Sequence, residues 1–147
     1  MLSSRIRAGV RAGLVSAAAT AGAIVGFGIR HGDWSGPFVS LGTQVMRGFG
    51  VTDPSGFMRS AAGIAAHVGW MVLWGIAFAA LANKRTFART ALVALLIGAG
   101  AALIARFLIP AAMGAVRFAG LPGIQAALCV ALMTVGLVTG RALASTD

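Results

Sequence analysis

His67 is the residue whose type and position could do the most chemistry in this chain. It is the one ionisable side chain in an apolar run from Ser60 to Asn83. An ionisable group in such a run is a functional suspect by default, because lipid cannot solvate its charge. An imidazole there could relay protons, ligate a metal or macrocycle, or hydrogen-bond to a neighbouring helix. Arg106 is the second candidate. It interrupts another apolar run with Pro110 four residues on, so the helix is expected to kink or fray there. Its guanidinium then either snorkels to headgroups or pairs with Asp33 or Asp53. Catalysis has little else to stand on. The chain has no glutamate, its aspartates are Asp33, Asp53 and Asp147, and no Ser-His-Asp or His-Glu-x-x-His arrangement occurs. His31-Gly32-Asp33 reads as a solvated turn, and the lone Cys129 as a small packed hydrophobe. The expectation is a protein that is not an enzyme and binds no metal, and the lack of a carboxylate in the apolar runs argues against proton-coupled transport.

Gly63 stands four residues before His67, and Trp70 and Trp74 follow on neighbouring turns. A small residue one turn before an intramembrane histidine resembles the chlorin-ligating pattern of light-harvesting and reaction-centre helices. That resemblance covers two residues and implies, as an alternative, a tetrapyrrole on His67 in a photosynthetic or respiratory complex. The reading carried forward has no cofactor. His67 is expected to be a neutral imidazole, hydrogen-bonded within the bundle or to interfacial water, since no carboxylate in the spans could offset its charge and the two tryptophans can fill the space.

The elements that must position these residues follow from composition. Of 147 residues, 59% are hydrophobic and 10% charged, and the mean hydropathy is +0.91. Soluble domains carry about 25% charged residues, so so few polar groups could not cover a soluble surface. About 20 apolar residues at 1.5 Å each cross a hydrocarbon core. Uncharged stretches place four spans at about 12–29, 60–83, 90–109 and 118–140. These runs are too long and too uniform for barrel strands. The expected fold is all-α, an integral membrane four-helix bundle forming a single domain over 1–147. Arg5, Arg7 and Arg11 imitate a signal-peptide start, but the hydrophobicity continues well past Ala17-Ala18-Ala19, so the first helix reads as an uncleaved span.

Between the first two spans, Ser35-Gly36-Pro37 reads as a helix start and Gly48 and Gly50 as its end. Phe38, Leu41, Val45 and Phe49 recur at helical spacing, with Ser40, Thr43, Gln44 and Arg47 opposite. This predicts a short amphipathic helix over 37–48 resting at the membrane–water interface beside Trp34, its four apolar side chains forming one buried or lipid-facing stripe. Asp53 and Pro54 are expected to cap and open the second span. Small residues four apart suit close helix packing: Ala18, Gly22 and Gly26; Gly75 and Ala79; Ala94, Gly98 and Ala102; Gly136 and Gly140.

With four spans, one side holds seven basic residues (Arg5, Arg7, Arg11, Lys84, Arg85, Arg89 and Arg141). The other holds four (Arg30, Arg47, Arg59 and Arg117), or five with Arg106. The positive-inside rule puts both termini in the cytoplasm. The basic residues sit between apolar runs and do not cluster with exposed aromatics, which argues against nucleic acid. The basic start, the long first outer connection and the run His67-Val68-Gly69-Trp70-Met71-Val72-Leu73-Trp74-Gly75 resemble small four-span bacterial inner-membrane proteins of uncharacterised function. The resemblance implies no activity. The expected role is a structural or accessory subunit packing against other membrane helices, further copies of itself or lipid; the alternatives are a small transporter or channel protomer and the pigment- or haem-binding subunit.

Overall fold

Runs of Ala, Gly and Leu without charge leave the backbone no partner but itself, and in the computed structural model every regular element among the described residues is helical. Those residues are 2–82, 86–105 and 123–144. They form α1 (Leu2–Arg30), α2 (Gly36–Gly48), α3 (Gly56–Leu81), α4 (Phe87–Leu103) and α5 (Gly123–Ala144). α1, α3 and α5 are each long and apolar enough to cross a membrane; α4, of 17 residues, is apolar but shorter, followed by a π-type widening at Ile104 and Ala105. Arg106 and the expected start of the fourth span at Phe118 lie outside the described residues, as do Lys84, Arg85 and Pro110.

Several element boundaries differ from expectation for local reasons. α1 begins at Leu2, ten residues before the first uncharged stretch, because arginine is a good helix former and does not end a helix by being charged. α3 is capped by Ser55, whose hydroxyl accepts the Met58 amide at 3.3 Å, and not by Asp53. α2 starts where Gly36-Pro37 predicts. Its free amides are met by Asp33, whose Oδ1 accepts from Ser35 N at 3.0 Å and Gly36 N at 2.9 Å. At its other end Gly50 takes φ +79, and Val51 N returns to the Met46 carbonyl at 2.9 Å, a left-handed glycine stop. Phe49 follows the last helical turn and is 83% exposed.

α1 is the hub. It packs most extensively against α3 and α5, α2 lies on α3, and α4 packs on α5 while barely touching α3. Registers are antiparallel: Gly9 meets Ile76 and Gly13 meets Val72 across α1–α3, while Ala12 meets Gly140 and Ser16 meets Gly136 across α1–α5. A Cβ added at Gly13, Gly136 or Gly140 would lie only 2.5 to 2.6 Å from a facing Cα. At these positions only glycine lets the backbones approach so closely. Gly75 sits in the same crossing against Gly9 and Gly13, and Gly98 makes ordinary contact with α5 at Val130 and Thr134. Gly22 and Gly26 do not join it. Among the described residues nothing lies within 4 Å of a Cβ built on either, and there α1 packs through Gly9–Gly13–Ala17 and Ala12–Ser16–Thr20. The Arg141 guanidinium, on α5, donates to the Ala82 carbonyl at the end of α3 and ties the same end of the bundle.

Candidate functional site

His67 sits eleven residues into α3, about 16 Å along its axis at 1.5 Å per residue. Its Nε2 lies 3.1 Å from Thr20 Oγ1 and 3.3 Å from the Ala17 carbonyl, both on α1. A carbonyl only accepts, so Nε2 carries the hydrogen. Thr20 gives its own proton to the Ser16 carbonyl at 2.8 Å, which leaves its oxygen lone pairs to receive the imidazole N–H. Ser16 in turn contacts the Ala12 carbonyl at 2.9 Å and the Met133 carbonyl of α5 at 3.2 Å. A buried polar string thus runs from α5 through Ser16 and Thr20 to α3. Sequence reasoning singled out His67 but missed both hydroxyls. Their only signal was a Ser and a Thr one turn apart on a glycine-free ridge of α1.

The Phe38 ring of α2 stands edge-on to the imidazole, with centroids 5.7 Å apart. The space beside Gly63 is filled by the α2 backbone, where Phe38 and Gly42 come too close for any Cβ. On its Gly63 side His67 therefore has no clear space, and its Nε2 is engaged by Thr20 and the Ala17 carbonyl of α1. Among the described residues no group of three His, Cys, Asp or Glu could hold a metal. His31 is exposed in the loop, its ring against Phe27, and Asp33 is engaged with the start of α2.

His67→Ala removes this interhelical hydrogen bond. We expect it to lower stability in detergent by about 1 kcal/mol, read by thermal unfolding, with the absorbance spectrum unchanged. A visible band in the wild type that disappears in the variant would overturn the assignment.

Beside His67 the helices part. The half of the bundle near the α1 start and α5 end is closed by the glycine crossings. In the other half all five helices line a cavity of about 610 Å³; among its described lining residues Thr20, Gln44, His67 and Cys129 carry polar or thiol groups and the others are apolar. Leu41 and Val45 reach it from α2. Gln44, expected on the polar face, also points there, because its position on the helix lies one step from Leu41 and Val45. The cavity opens to the outside of the bundle, and its described walls offer water few polar partners.

Fold and site together define a helical protein of membrane-spanning composition, packed by glycines at one end and hollow at the other. Compared with models of known protein families, with curated proteins and with solved structures, the chain matches none.

Proposed function

We propose that the protein is a non-enzymatic accessory subunit of a bacterial inner membrane, crossing it four times with both termini in the cytoplasm. The observation that carries this reading is the outer surface of the bundle. Leu14, Ile64, Leu73 and Val135 are exposed on helices that pack on one another through glycines, and Leu92 and Leu96 are exposed on α4. Such a surface fits neighbouring membrane helices, another copy of the chain, or lipid. α2 belongs to this picture as an interfacial helix, with Trp34 63% exposed ahead of it. The one-sided cavity favours a second reading, a small transporter protomer, since a half-open bundle is the shape alternating access requires.

Extraction of the full chain in mild detergent separates the two. The expected result is co-elution at fixed ratio with a membrane-protein partner or as a complex larger than the 14.8 kDa chain, with no solute flux from proteoliposomes of the chain alone. A monodisperse single chain that supports flux sinks the accessory reading. Orientation is checked by a C-terminal reporter active only outside the cytoplasm, which should stay silent; the basis is the seven basic residues on the terminal side against four or five opposite.

A further inference from the structure

We propose that the cavity lined by all five helices holds one acyl chain of a bilayer phospholipid, with the Gln44 amide hydrogen-bonded to its ester carbonyl. This rests only on the chain lying in a membrane and not on its having a protein partner. The occupant follows from the shape and chemistry of the walls. The cavity lies away from the short connection between α3 and α4: its α4 wall runs from Gly98 to Ala105, far from the helix ends at Leu81 and Phe87. That wall is about 10 Å long at 1.5 Å per residue. Its faces include Ala66, Ala99, Ala102 and Ala126, with Trp70 and the His67 imidazole as the rings among the described lining residues. Small irregular aliphatic walls suit a flexible methylene chain, which asks for no directional contact. A flat ring system would need a slot and stacking partners, and 610 Å³ lies within the ordinary range for a bound small molecule, about 300–1,000 Å³.

The polar groups choose among chain-bearing molecules. No lysine or arginine is among the described lining residues, so a free fatty-acid carboxylate would have no counter-charge there. Thr20 and His67 Nε2 are already committed to one another. Gln44 carries no hydrogen bond among the described residues, lies on the helix that covers the hollow end, and offers two N–H donors. A neutral donor matches a neutral ester carbonyl.

Native mass spectrometry of the full chain, extracted in mild detergent, tests this. One phospholipid mass per chain should persist after washing that strips bulk lipid. Ala102→Trp and Ala126→Trp, which fill the cavity, should each lower that occupancy by about tenfold or more. Leu96→Trp, on an exposed face of α4, should leave it unchanged. The sole cysteine provides a readout that needs no substitution, because Cys129 lines the cavity. Its labelling by N-ethylmaleimide should be several-fold faster after delipidation and slow again on return to vesicles of phosphatidylethanolamine and phosphatidylglycerol. Wild-type protein without a retained phospholipid, tryptophan variants as loaded as wild type, labelling indifferent to lipid, or a retained mass belonging to a fatty acid, quinone or tetrapyrrole would each overturn the proposal. A missing protein partner would leave it intact.

Discussion

Gly136→Leu is expected to remove about 2–4 kcal/mol of stability, read as a large fall in the midpoint of thermal unfolding in mild detergent. A Cβ at this position would lie 2.6 Å from Ser16 Cα and 2.8 Å from its Oγ. The nearest obstacle is backbone, so no side-chain rotation relieves it and α1 and α5 must separate. Overpacking of this kind costs about 1–3 kcal/mol or more. Separation also breaks the Ser16 contact to the Met133 carbonyl, worth roughly another 1 kcal/mol in a membrane protein. Because α1 is the hub, the damage spreads to α3 through Gly9 and Gly13. Gly22→Leu is the matched control: no described residue lies within 4 Å of a Cβ there, and the change should stay within about 0.5 kcal/mol. Equal loss in the two variants would show that the α1 register is wrong.

That pair also shows what the sequence could and could not specify. A helix in water declares its buried face by the contrast between apolar and polar sides, but α1 has no such contrast from Ala12 to Ile29. Small residues four apart occur there in several phases: Gly9–Gly13–Ala17, Ala12–Ser16–Thr20 and Ala18–Gly22–Gly26. Composition cannot choose among them, and the structure packs the first two. Local backbone signals were far more legible. Gly36-Pro37 and Gly50 bound α2 to within one residue of the expected 37–48, because proline geometry and left-handed glycine act within a single turn. The same local stop explains why Phe49 faces outward although its spacing matches Val45 and Leu41. His67 was legible as an exception in an apolar run, but Thr20 lies 47 residues away from it and nothing local announces that pairing. The cavity was not legible at all, since a hollow is a property of how α3 and α4 diverge and of no single segment.

The second large effect concerns α2, which is held to α3 by two facing glycines. A Cβ on Gly63 meets the Phe38 carbonyl, and one on Gly42 meets that of Arg59; both obstacles are backbone. Gly63→Leu should therefore undock α2 while leaving the α1–α3 and α1–α5 crossings in place, since Gly63 touches neither. The overpacking penalty of about 1–3 kcal/mol corresponds to a five- to 150-fold shift in the docked population. Limited trypsin digestion reads that shift, because Arg47 lies exposed near the end of α2 and cleavage within a docked helix requires it to open first. Cleavage after Arg47 should accelerate by about tenfold or more, with thermal unfolding of the remaining helices nearly unchanged. Gly69→Leu, also on α3 but with no described residue within 4 Å of an added Cβ, should cleave at the wild-type rate. Undocking also withdraws Phe38 from His67 and takes Leu41, Gln44 and Val45 off the cavity. The variant should then shed whatever the cavity holds at the same washing stringency that the wild type survives. Cleavage at the wild-type rate in Gly63→Leu would mean that α2 is not held by this crossing, and that its cover over the cavity depends on something other than α3.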